Sequence, residues 1–108
     1  MTQRFGQIIG VKPESINAYE RIHAQVWPEV LATIRACNIR NYSIFRHGTT
    51  LFAYFEYTGS DFAADMARMA ADPKTREWWT HTEPMQEPLS DREPDEWWHT
   101  MKEVFHTD

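Results

Sequence analysis

The chain is poor in the features that announce most biochemical classes. Its 108 residues contain one cysteine, Cys37, so no internal disulfide is available. There are only four glycines and no glycine-rich phosphate loop. No nucleophile motif of the G-x-S-x-G kind occurs. The five histidines, His23, His47, His81, His99 and His106, show none of the common metal-ligand spacings, so neither metal nor cofactor is expected. No run of lysine and arginine is present, and the formal net charge is −5, which argues against a phosphate backbone as partner. No apolar run approaches the roughly 20 residues that span a bilayer. The amino terminus, MTQRFGQIIGV, lacks the pattern of a signal peptide, and with the lone cysteine this leads to the expectation of a soluble, cytoplasmic protein.

What remains is enough for one core. Hydrophobic residues make up 42% and aromatic residues 14%, and residues 1–108 are expected to form a single domain. The segment RFGQIIGV (4–11) reads as a strand, bounded by KPES. Ile16, Tyr19, Val26, Val30, Leu31 and Ile34 then recur at helical intervals as far as Cys37. Pro28 falls inside that helix and should kink or restart it between Ala24 and Trp27. YSIFR (42–46) and LFAYFEY (51–57) read as strands joined by HGTT, whose glycine permits a tight turn. Leu51, Ala53 and Phe55 alternate with Phe52 and Tyr54, so both faces of the second strand should be covered.

Two helices follow, one capped by Ser60 and one by Asp72 with Pro73 as its first residue. PMQEPLSDREPDE (84–96) reads as a surface loop, and MKEVFH (101–106) as a last strand. The order β α β β α (α) β predicts an α+β, ferredoxin-like protein: a four-stranded antiparallel sheet with its helices on one face. The bare face would be covered by a second copy, giving a homodimeric α+β barrel.

Tyr19, His23 and Trp27 stand four residues apart and therefore share a helix face. A lone histidine is more often a hydrogen-bonded core residue than a catalyst. Here, however, Tyr42 on a strand and Trp78 and Trp79 on another helix can join it from separate elements. Aromatic rings stack on the C–H faces of sugars, while their OH and NH tips bond hydroxyls, so this set fits a carbohydrate pocket. One of the two adjacent tryptophans should be structural, because neighbours on a helix point about 100° apart. A second pair, Trp97 and Trp98, has no evident role.

The ordered set Tyr19, Arg21, His23, Trp27, Pro28 and Glu29 in YERIHAQVWPE, Asn41 and Tyr42 in NYSIF, Trp78 and Trp79 in EWW, and the ending EVFH resembles the L-rhamnose mutarotase family across essentially the whole chain. The resemblance implies a cytoplasmic dimer of the dimeric α+β barrel type that uses no cofactor and interconverts the α and β anomers of a 6-deoxy-hexose. It implies His23 as proton donor, with Tyr19, Tyr42, Trp78 and Trp79 binding the monosaccharide. Ile22 and the segment PLSDREPDEWWHTM depart from the family pattern. L-fucose is the alternative substrate, and a sugar-binding protein without turnover, or a monooxygenase, the alternative activities.

Overall fold

A computed structural model describes residues 2–108. Strand β1 (Gln3–Val11) leads through a short 3-10 turn into helices α1 (Ile16–His23) and α2 (Pro28–Ala36). The hairpin of β2 (Ile39–His47) and β3 (Thr50–Tyr57) follows, then α3 (Phe62–Ala71) and α4 (Pro73–Thr82). Two short strands, β4 (Gln86–Glu87) and β5 (His99–Met101), complete the sheet.

All pairings are antiparallel and the strand order is β2-β3-β1-β4, with β5 also on β1. β4 lies against Gly10 and Val11, and β5 against Gly6 to Ile8. The fourth position of the ferredoxin-like sheet is thus one strand interrupted by an eleven-residue excursion, 88–98.

Pro28 does not kink a long helix; it starts a new one. Mid-helix it would cost about 3 kcal/mol, whereas at the first helical position its missing N–H is no loss. Trp27 therefore becomes the N-cap, in the extended conformation (φ −58°, ψ 134°) that a residue before proline prefers.

The break at Pro28 is the restart expected of it, whereas three expectations are corrected. α3 is capped by Asp61, whose carboxylate accepts from the Ala64 amide at 3.1 Å, and not by Ser60. The loop from 84 to 96 contains a 3-10 turn and β4. The last strand is His99–Met101, not 101–106. Continued, its register would set Glu103 beside Arg4, and those side chains do pair at 3.0 Å. Beyond them β1 has almost no residues left to bond, and Val104 and Phe105 lie exposed.

Alternation sorts the sheet into two faces. Ile9, Val11, Leu51, Ala53, Phe55 and Tyr57 are buried under the helices. Phe45, Phe52 and Met101 are exposed on the other face. The helix-side core forms two clusters, one around Ile9, Leu51 and Tyr19, the other around Ile39, Phe55 and Tyr57. Residues of both line a cavity of about 430 Å³ between sheet and helices.

Candidate active site

Helix α1 has a single buried residue, Tyr19, and one turn later His23 stacks on it, with ring centroids 4.2 Å apart and planes 27° from parallel. The His23 Nδ1 lies 2.8 Å from the Tyr19 carbonyl oxygen. A carbonyl can only accept, so Nδ1 carries a proton, and in the neutral ring Nε2 is left as the acceptor. Nε2 has no protein partner among the described residues, and His23 lines the cavity. Burial pushes the His23 pKa below its ordinary 6.5, partly offset by the bond to the carbonyl. The ring is therefore mainly neutral near pH 7, with Nε2 as its proton acceptor.

Helix α4 supplies the tryptophans. Thr75, Trp78 and Thr82 are buried at three- and four-residue spacing, which turns one face inward. Trp78 meets His23 edge-on at 5.4 Å and Trp27 at 5.1 Å. It is the structural ring of the pair, wedged between the two, although an edge of it still reaches the cavity. Trp79 is half-buried on the cavity wall and offers the freer face. Trp27 does not line the cavity; it backs Trp78 from behind, with Lys74 over its ring at 5.5 Å.

Tyr42 arrives by a bulge. The β2–β3 register slips between Arg40 and Ser43, so Asn41 and Tyr42 together oppose one residue of β3. Asn41 adopts φ 51°, a left-handed conformation that costs an ordinary residue about 1 kcal/mol and that asparagine tolerates. Its side chain donates to Glu56 at 2.8 Å. Before the bulge Ile39 faces the helices, and after it Tyr42 and Ile44 do, a change of parity that a regular strand would not allow. Tyr42 keeps part of its ring in solvent while its hydroxyl end points inward. Burial, then the neighbouring Tyr19, push that hydroxyl up to about 12, so it stays protonated.

The five residues singled out from the sequence thus border one cavity. Sequence reasoning missed other polar side chains on the cavity wall, Gln7, Thr75, Thr82 and Glu83 among them, and two groups that bear directly on Tyr19. Gln86, buried on β4, donates from Nε2 to the Tyr19 hydroxyl at 3.1 Å. Trp97 donates from its indole N–H to Gln86 Oε1 at 2.7 Å. Nothing in PMQEP marks its glutamine as inward. The signal for Trp97 was the unexplained second tryptophan pair.

Among the described residues no group of three or more His, Cys, Asp or Glu side chains is placed to hold a metal ion. No helix among the described residues is long and apolar enough to cross a membrane.

This architecture defines a class: ferredoxin-like α+β proteins whose curled sheet and helices enclose a cavity. A solved L-rhamnose mutarotase from Formosa agariphila superimposes with TM-score 0.76 at 23% identity, over 98% of this chain and 99% of that one. A Streptomyces glaucescens tetracenomycin F2 cyclase, a type-II polyketide cyclase, shares the fold at TM-score 0.67 and 14% identity, over 97% and 95%.

Within that class the chain belongs to the L-rhamnose mutarotase family, whose model matches residues 4–107. An L-rhamnose mutarotase of Ligilactobacillus salivarius is 34% identical over the full length of both chains. An L-fucose mutarotase of Xanthomonas campestris is 35% identical over 83% of this chain and 74% of its own.

Proposed function

We propose that the protein is a cofactor-independent mutarotase that interconverts the α and β anomers of a 6-deoxy-hexose, with L-rhamnose as its substrate and His23 as its catalytic residue. The observation that carries this reading is the His23 ring, held by its Nδ1–H with Nε2 left free, on a side chain that lines a cavity bordered by tyrosine and tryptophan. Family membership and the full-length relatives named for L-rhamnose support the sugar.

Mutarotation needs a proton moved from one oxygen to another. As the bond from the anomeric carbon to the ring oxygen breaks, neutral His23 Nε2 takes the proton of the anomeric hydroxyl. The resulting imidazolium then gives that proton to the former ring oxygen, leaving an aldehyde and a free hydroxyl. Rotation about the adjacent C–C bond presents the other carbonyl face, and the same two transfers run backward. A group titrating near neutrality serves both directions. Trp79 would stack on the sugar, and Trp78, Tyr19 and Tyr42 would complete its binding.

The reading includes a single domain working in the cytoplasm as a homodimer joined through the open sheet face. Phe45, 64% exposed, with Phe52 opposite it on the next strand and Met101 two strands further across the same face, supports a covered face. Sedimentation should give twice the 12.8 kDa chain mass.

The deciding experiment is saturation-transfer NMR on anomeric mixtures of L-rhamnose, L-fucose and D-glucose. Catalysed exchange fastest for L-rhamnose is expected. Faster L-fucose exchange would move the substrate, and binding without exchange of any sugar would make the protein a binder.

A further inference from the structure

The mutarotase reading leaves Gln86 and the second tryptophan pair without a part. We infer that Gln86 and Trp97 are positioning residues that fix the hydroxyl of Tyr19 as a hydrogen-bond donor toward the bound sugar. The inference rests on the functional reading above and adds a direction to one of its bonds.

The argument starts at the outer end of the chain of bonds. An indole N–H is a donor and nothing else. Trp97 Nε1 lies 2.7 Å from one end of the Gln86 amide, so that end is the oxygen. The other end is then the NH₂, a donor and nothing else, and it lies 3.1 Å from the Tyr19 hydroxyl oxygen. Tyr19 must accept there. Its one proton is left over, with no acceptor among the described residues, on a side chain that lines the cavity.

Both fixed ends are buried or held. Gln86 is 5% exposed and Tyr19 3%, so water has little room to rearrange the bond between them, whereas the Trp97 ring is 37% exposed and depends on its neighbours. Trp97 is kept in place by the excursion between β4 and β5. There Arg92 lies 6.0 Å over its ring and bonds the carbonyls of Leu89 and Glu96 at 3.2 and 2.8 Å.

The consequence is a matched pair. His23 Nε2 is an acceptor, and Tyr19, stacked 4.2 Å away, is a donor. Ring opening requires both at once: an acceptor for the anomeric hydroxyl proton, and a donor at the ring oxygen as it becomes negative. Tyr19 supplies a hydrogen bond to that oxygen until the imidazolium delivers its proton. Were the amide reversed, Tyr19 would spend its proton on Gln86 and present a lone pair to a developing negative charge.

Gln86→Glu performs that reversal with almost no change of shape, because a carboxylate accepts the Tyr19 proton. Anomer exchange should fall about tenfold or more, at least as far as in Tyr19→Phe, and no further when the two changes are combined. Relative to wild type at the same pH, the deficit should shrink as pH falls and the carboxyl regains a donating proton. A merely structural role predicts a lower melting temperature with a pH-independent rate ratio. Losses that multiply in the double variant, or a Gln86→Glu rate within about twofold of wild type per folded molecule, would overturn the inference.

Gln86→Met covers the case in which the glutamate variant does not fold. It should shift the Trp97 indole N–H resonance, assigned with Trp97→Phe, and slow exchange severalfold. An indole resonance that ignores Gln86→Met would show that the chain of bonds is absent in solution. Wild-type protein that exchanges no sugar on the panel, while the indole resonance does respond, would sink the mutarotase reading and with it the use assigned to the Tyr19 proton, leaving the bonds themselves intact.

Discussion

Tyr19 and Tyr57 are both buried tyrosines, 3% and 1% exposed, yet the hydrogen bonds at their tips differ. Tyr57 donates to Asp65 Oδ2 and accepts from the Asp61 amide at 3.0 Å, so both of its capacities are filled by the protein. Tyr19 accepts from Gln86 and keeps its proton for the cavity. The Tyr57 corner is closed further by Asn38, which also donates to Asp65, and by Gly59, where any Cβ would collide with the tyrosine hydroxyl. A polar tip that the fold has saturated holds structure together. One left half-used beside a cavity is available to a ligand.

The largest effect should come from the group stacked on the half-used tyrosine. His23→Asn removes the base while keeping a polar side chain of similar reach. Exchange should fall on the order of 10²-fold or more, equivalent to about 2.7 kcal/mol in the barrier, with sugar affinity and melting temperature largely kept. An active, folded variant would remove His23 from the mechanism and place Tyr19 with the structural tyrosines.

Next comes the saturated side. Gly59→Ala forces a methyl group against the Tyr57 ring and should cost about 1–3 kcal/mol of stability. Since roughly 1 kcal/mol moves the melting point of a domain this size by about 4–8 °C, calorimetry would see it. Tyr57→Phe should also melt earlier, because the Asp61 amide and Asp65 each lose a partner. Exchange per folded molecule should be unchanged in both. A selective loss of activity in Tyr57→Phe would break the comparison.

Which parts of this were legible beforehand follows from the range of the interactions. The i, i+4 row of Tyr19 and His23 and the alternation of β3 are local patterns, and both appear where expected. Asp61 took the cap from Ser60 because its carboxylate reaches the Ala64 amide, a difference of one residue that composition does not fix. Gln86 was unreadable for another reason. Its neighbours Glu83, Pro84 and Pro88 mark a surface loop, and only pairing with Val11, far off in sequence, turns it inward. Tyr42 was picked out as a residue, but the bulge that aims it depends on a register slip against β3.

That bulge gives a smaller effect. Asn41→Val places a β-branched residue at φ 51° and removes the bond to Glu56, which should cost about 1–2 kcal/mol or drive the bulge elsewhere. Either way Tyr42 leaves its aim, and sugar affinity should weaken, read by tryptophan fluorescence. Asn41→Gly keeps the left-handed conformation and should keep most of the affinity. Equal affinity in both variants would mean that Tyr42 needs no bulge to reach the cavity.

The smallest effect is the response of stability to pH, where two histidines pull in opposite directions. His23 has a folded pKa below 6.5 because it is buried, so the unfolded chain binds the extra proton first as pH falls. Its contribution is complete above pH 6.5 and is lost as pH drops through the folded value. His99 has a folded pKa above 6.5, chiefly through its bond to Glu96 at 2.9 Å. Its contribution is complete below pH 6.5 and is lost as pH rises through the folded value. The melting temperature should therefore pass through a shallow maximum around that point. His99→Gln should flatten the alkaline limb, and His23→Asn the part of the acid limb just below pH 6.5. At lower pH the Glu96 carboxyl, held below its ordinary value first by His99, adds its own loss. Exchange should follow His23 alone, steady through neutrality and declining as pH falls below 6.5, whatever stands at position 99. A rate that instead declines on the alkaline side, in step with His99, would mean that the histidine beside the excursion, and not the one stacked on Tyr19, governs the chemistry.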